Sequence, residues 1–264
     1  MARLRRSRYS DGMMLPLLLL ALAAASPSPR DAAGNQLEPL KPAAEQAARL
    51  CTGDQRWCAG IDDDSATLSV FTGPTGAAVA SVELEQDEDE TLAVWPQMAR
   101  LAAPGAGVLI GVERRRSASY SGGGGGTTVL ELIQVWPDRS RPPRSVLTLP
   151  LKGEIMIRAC FSKQDFADRK GACQDIYTFD ATLTLAPETA SGPPKFQFAT
   201  LAKAFPPKAS RGTPTPSLKR LKKSELVPTP DLACSYRRVL AFDPKSQTYR
   251  PDSPLPDCDD YTTP

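Results

Sequence analysis

The chemistry open to this 264-residue chain is bounded by one absence: it contains no histidine. Without histidine there is no Ser-His-Asp or Cys-His nucleophile, no two-histidine-one-carboxylate iron site, no H-E-x-x-H metalloprotease and no imidazole general base. No Ser-x-x-Lys occurs either, which removes the penicillin-binding type of serine nucleophile. The six cysteines, Cys51, Cys58, Cys160, Cys173, Cys234 and Cys258, include no Cys-x-x-Cys pair. An all-cysteine zinc site would have to compete with oxidation of its thiolates. No catalytic residue, cofactor site or metal site is therefore assigned.

Carboxylates are the chemical groups that remain. Asp62, Asp63 and Asp64 form one acidic cluster, and Glu83, Glu85, Asp87, Glu88, Asp89 and Glu90 form another. Loop oxygens of this kind suit calcium, but the EF-hand spacing is missing and charge runs between strands are ordinarily solvated turns. A glycosidase would need two carboxylates roughly 5 to 10 Å apart across a cleft, which linear order does not reveal. A calcium-stabilised structural domain and a carboxylate-dependent hydrolase of envelope glycans stand as alternatives to a binding protein.

The cysteines are even in number, and their spacing favours the sequential pairs Cys51 with Cys58, Cys160 with Cys173 and Cys234 with Cys258. The middle pair brackets a polar loop, FSKQDFADRKGA, in a register that sets Arg158 opposite Asp175. The last pair is symmetric about Ser246 and closes a hairpin.

These groups must be held by strands. The 26 prolines and 18 glycines disfavour long helices. β-Branched or alternating runs recur at 66–72, 77–84, 91–95, 107–112, 127–136, 145–149, 154–159, 176–185 and 195–201. Ala43 to Arg49 is alanine-rich behind Pro42, and Pro42 to Leu50 is predicted to be a short helix. The expected class is mainly β, an antiparallel sandwich or barrel-like meander with that one N-terminal helix and a disulfide-closed C-terminal hairpin.

Residues 107–136 read as a hairpin whose apolar ends lie in the core and whose tip, Ser121 and Gly122 to Gly126, lies in solvent. The glycine run lacks the spacing of a phosphate loop. With Arg114, Arg115, Arg116, Tyr120, Gly122, Gly124 and Gly126 it is the candidate interaction loop. Tyr236, Tyr249 and Tyr261 cluster near the last cysteine pair as possible exposed aromatics. Trp95-Pro96 and Trp136-Pro137 each mark an expected strand end, because proline cannot continue a central strand.

The N-terminus carries Arg3, Arg5, Arg6 and Arg8, an apolar run from Met13 to Ala25, and small residues at Ala23 and Ala25, the pattern of a cleaved secretory signal. Removing 1–25 leaves about 239 residues, with 28 basic against 29 acidic side chains. A chain that is formally +2 becomes nearly neutral, with no global field favouring nucleic acid. The expected organisation is a signal over 1–25, a disordered linker over 26–41, a main β domain over 42–205, a Pro-rich basic connector over 206–232 and a C-terminal disulfide hairpin over 233–264 packed on the main domain. The expected function is that of an exported monomer, periplasmic or extracellular, which binds an envelope or extracellular protein and has no cofactor, no nucleic-acid partner and no stable membrane insertion after signal cleavage.

Overall fold

The computed structural model describes residues 29–264 except 45, 47, 139, 140, 208, 210 and 212–219. The expected signal segment lies outside the described residues. β1 (Gln36–Pro39) is followed by β2 (Lys41–Pro42), β3 (Leu50–Cys51), β4 (Cys58–Asp62), β5 (Thr67–Phe71) and β6 (Ala78–Glu83). Then come β7 (Glu90–Arg100), β8 (Val108–Tyr120), β9 (Gly123–Val135) and β10 (Arg144–Arg158). After α1 (Lys163–Asp168) run β11 (Gln174–Leu185), β12 (Phe196–Phe205), β13 (Thr229–Asp231), β14 (Arg237–Asp243), β15 (Thr248–Pro251) and α2 (Asp259–Thr262). Among the described residues, β2 to β6 form a small sheet in sequential order. The large sheet runs β1-β7-β8-β9-β10-β11-β12-β14-β15, with β13 also on β12, and the pairings are antiparallel.

The sequence VLIGV of β8 is continuous in apolar character because both of its faces are covered. Val108, Ile110 and Val112 pack with Leu68 and Val70 of the small sheet. Leu109 faces the other way, into a core shared with Leu37, Leu183, Phe196, Phe198, Leu240 and Tyr249. That second core draws on both the first and the last strand of the large sheet, so the sheet is strongly curved. A third cluster, Tyr177, Phe179, Ala202, Ala204 and Tyr261, lies where α2 covers β10 and β11.

Several expectations change. The described residues of the expected helix Pro42 to Leu50 are not helical: Pro42 pairs with Leu50, and the Ala43 N–H donates to the Arg49 carbonyl. Alanine propensity is a few tenths of a kcal/mol per residue, and pairing Cys51 to Cys58 in adjacent strands overrides it. The segment 26–41 is not a linker over its described part. Gln36–Pro39 pairs with β7, and Asn35, fully buried, bonds Asp31 at 2.8 Å and accepts from the Ala102 N–H at 2.8 Å.

The expected strands 145–149 and 154–159 are one strand, β10, which carries Pro150 through a bulge. Trp95-Pro96 likewise lies inside β7, where the register shifts between Val94 and Met98. The connector contributes β13 and buries Leu221, and the C-terminal hairpin β14–β15 extends the same sheet through pairing of β14 with β12.

The glycine run is also a correction. Only Ser121 and Gly122 form the turn. Gly123 to Gly126 are a strand segment paired with Ser117 to Tyr120 on one side and Glu154 to Ile157 on the other. A Cβ on Gly123 would lie 2.1 Å from the Met156 carbonyl oxygen, and one on Gly125 would lie 2.9 Å from the Glu154 carbonyl oxygen. Glycine is required at 123–125 by close approach of neighbouring strands.

Gly153 shows the same constraint at α2. A Cβ there would fall 1.8 Å from the Tyr261 carbonyl oxygen. Gly153→Ala should destabilise the protein by about 1–3 kcal/mol through overpacking. Gly126→Ala, whose added methyl meets nothing nearer than the Arg116 carbonyl at 3.5 Å, should stay within about 0.5 kcal/mol. Urea denaturation of both variants distinguishes them, and equal midpoints would refute the account.

Candidate functional site

The three sequential disulfides are formed, with sequence separations of 7, 13 and 24. The Cys160–Cys173 bridge closes the loop that carries α1 at one end of the large sheet. Ser162 caps α1: its hydroxyl accepts from the Asp165 N–H at 3.0 Å, and the Asp165 carboxylate accepts from the Ser162 N–H at 2.9 Å and the Phe161 N–H at 3.0 Å. This capping box satisfies donors that a helix start leaves open. At the other end of α1, Lys170 and Gly171 adopt positive φ (52° and 83°) and turn the chain back toward Cys173.

The loop is anchored from beneath by Arg169, 3% exposed. Its Nε donates to the Ala172 carbonyl at 2.7 Å, and its guanidinium pairs with Asp175. Burial pushes the Asp175 carboxyl up, while Arg169 pulls it back down. This replaces the expected Arg158–Asp175 pair. Arg158 lies opposite Gln174 and Ile157 opposite Asp175, a register one residue away, and a one-residue shift places the two side chains on opposite faces.

Between this loop, the Ser121–Gly122 turn and the sheet lies a groove of about 880 Å³. Its floor is built from register. Gly124, Met156, Ile176 and Phe205 are successive partners across four strands, and Arg158 and Gln174 form a neighbouring row. Met156, Arg158, Gln174 and Phe205 line the groove, with Phe161, Lys163 and Phe166 from the stapled loop. Phe161 is 74% exposed, Phe166 60% and Met156 40%. Arg158 donates from Nε to the Cys160 carbonyl at 2.9 Å, and its guanidinium carbon stands 5.2 Å from the Phe161 ring centre. No Asp or Glu lines this groove.

The residues expected to form an interaction loop are placed differently from one another. Arg114 bonds Glu90 and Glu131, each at 2.9 Å; Arg115 pairs with Glu113; Arg116 pairs with Asp87 and Glu90. Arg114 is held strongly protonated by Glu131 and Glu90 despite the opposing effect of burial. Tyr120 is exposed at the hairpin end, Gly122 lines the groove, and Gly124 and Gly126 lie within β9.

Of the other tyrosines, Tyr249 and Tyr261 are buried, and the Tyr261 hydroxyl donates to Asp231 at 2.9 Å; burial is the main cause raising the pKa values of both. Tyr236 is half-buried beside Phe198, and burial pushes its phenol up as well.

Among the described residues, no group of three or more His, Cys, Asp or Glu side chains is arranged to hold a metal ion. Asp62 accepts from the Asp64 and Ser65 N–H groups, closing its own turn. Glu38 and Asp54 converge on Arg100, which ties the Cys51–Cys58 loop to β1 and β7. Burial pushes Glu38 up. At Asp54 the opposite holds: burial is outweighed by hydrogen bonds from Thr52, the Arg56 N–H and Arg100, which hold the carboxyl low. A second open cavity, about 820 Å³ beside Trp136, contains one carboxylate, Asp138. Among the described residues, neither of these two cavities is lined by the carboxylate pair a glycosidase requires.

The sequence reading passed over Met156, Arg158, Phe161, Lys163, Phe166 and Phe205. The available signal was a pair of phenylalanines in an otherwise polar loop between two cysteines.

Asp175→Ala should cost about 3–5 kcal/mol, because it leaves the Arg169 cation buried without its partner. Thermal or urea unfolding measures this, and a loss below 1 kcal/mol would show the pair to be dispensable. The Asp165 carboxyl is held below the usual carboxylate range by the Phe161 N–H, then by Ser162. Its contribution to the loop is therefore complete above that range and is lost as pH falls through the lowered value. Protection of the Phe161 and Ser162 amides from hydrogen exchange, taken relative to the intrinsic rate at each pH, should fall on such acidification and be absent at every pH in Asp165→Ala. No protein-family model, curated protein or solved structure was found to match this chain.

Proposed function

We propose that this protein is exported and acts by binding a protein of the bacterial envelope or exterior through the groove beside the Cys160–Cys173 loop. The N-terminal arrangement of Arg3 to Arg8, Met13 to Ala25 and a small-residue cleavage pattern supports export. Three disulfides accord with an oxidising compartment. No helix among the described residues is long and apolar enough to cross a membrane.

One observation carries the reading. Phe161, Phe166 and Met156, three of the seven large exposed hydrophobic side chains among the described residues, line the same concavity, and the frame beneath them is braced by a disulfide and a buried ion pair. Single exposed apolar side chains need no explanation, whereas a clustered set marks an interaction site. Aromatic side chains on a rigid frame lose little freedom on binding and commonly dominate an interface.

Affinity capture from envelope or culture-supernatant fractions tests the proposal. The wild-type chain should retain a partner that Phe161→Ser/Phe166→Ser loses by at least ten-fold, the scale of truncating interface anchors. Leu232→Ser, which removes a side chain 84% exposed elsewhere, should retain it. Equal recovery by all three proteins would remove the groove from the account.

A further inference from the structure

The geometry points to the ligand's chemistry: an extended peptide segment in which an apolar and an acidic residue stand two positions apart. This deepens the groove reading and rests on it. The floor holds two parallel rows. Met156 and Phe205, brought into line through their shared strand partner Ile176, form the apolar row, and Arg158 and Gln174 form the polar one. Met156 and Arg158 are two residues apart on β10 and share a face, so the rows are separated by roughly 6.5 Å, two strand rises. Residues i and i+2 of an extended peptide lying along β10 are separated by the same distance and also share a face. The repeat of the floor and the repeat of the ligand therefore coincide.

Charge supplies the sign. Arg158 and Lys163 line the groove, no carboxylate does, and neither cation makes a salt bridge among the described residues. The nearest acidic side chain in the loop, Asp165, is occupied by the cap of α1. The Arg158 Nε is used by the Cys160 carbonyl, which orients the guanidinium and leaves its terminal nitrogens for an incoming carboxylate. Phe161 and Phe166 flank the apolar row and Met156 adapts to the shape of what enters. Concavity distinguishes this from a membrane-docking tip: a volume of about 880 Å³ admits a side chain and a stretch of backbone, whereas a bilayer surface calls for a convex projection.

The test uses the full chain and a labelled peptide, acetylated and amidated at its ends, that carries Phe and Asp two positions apart. Its Asp-to-Lys and Phe-to-Ser counterparts serve as comparisons, and binding is read by fluorescence anisotropy. The Phe/Asp peptide should bind saturably, and each counterpart should bind at least ten-fold more weakly. Lys163→Glu, on an exposed helix residue, and Arg158→Glu should each weaken binding several-fold, and added salt should narrow the difference between wild type and variants. Lys245→Glu, in the β14–β15 turn, should leave it unchanged.

Equal binding of the Asp and Lys peptides overturns the acidic specificity. So does an absence of peptide binding while Phe161→Ser/Phe166→Ser still loses its captured partner, an outcome that leaves the groove itself in place. Adsorption to phosphatidylglycerol vesicles without peptide binding would assign the face to a membrane and overturn the peptide. If the captured partner is indifferent to Phe161 and Phe166, the groove reading falls with it.

Discussion

Burial of the β8–β9 hairpin on both faces is the constraint around which the other elements are arranged, because it makes one pair of strands part of two cores. Val108, Ile110, Val112, Ile133 and Val135 serve the core under the small sheet, while Leu109, Leu130 and Leu132 serve the other. Each such side chain contributes roughly 1.5–3 kcal/mol when fully buried. Two-sided burial has a structural consequence: alternation of polar and apolar residues no longer sets the register, since a one-residue slip would exchange one apolar face for another. Shape and charge set it instead. Gly107, at φ 77°, lies where a Cβ would be 1.9 Å from the Val135 carbonyl oxygen, and a Cβ on Gly111 would fall 2.6 Å from that of Trp95. Beyond the apolar stretch, Arg114 bridges Glu90 and Glu131. These contacts fit one register.

The same network explains why the arginine run does not form a docking patch. Arg114, Arg115 and Arg116 look like free cations in linear order, yet carboxylates on β7, β8, β9 and the acidic turn before β7 take all three. Farther along, Arg158 and Lys163 line the groove beside exposed apolar side chains. Charge thus divides along the hairpin, neutralised beside the small sheet and exposed beside the stapled loop.

The disulfides follow this division. Each closes a local loop, so each limits local opening and does little to join distant parts of the chain. Long-range cohesion comes from strand pairing and from Arg100 and Asn35, which tie the N-terminal segment to the rest. The Cys160–Cys173 bridge holds two exposed phenylalanines in place where an unbraced loop could fold them down onto the sheet.

The sequence alone determined the mainly β class, the sequential cysteine pairing and the absence of imidazole chemistry, because these depend on local spacing and on which residue types are present. The β runs at 107–112, 127–136 and 176–185 were legible because their neighbours in sequence carry the pattern. Only tertiary structure decided that the described residues of Pro42 to Leu50 are not helical, that Gly123 to Gly126 are an internal strand and that β10 runs through Pro150. In each case the competing forces come from strands distant in sequence: the Met156 and Glu154 carbonyls exclude any side chain at Gly123 and Gly125, and neighbours on both sides carry β10 across its bulge. The groove was hidden for the same reason. Met156, Phe205 and Arg158 meet through the register of three strands, and that register differs by one residue from the pairing inferred from Cys160 and Cys173. Composition cannot specify a register, because it is set by which backbones and side chains fit together when the sheet is assembled.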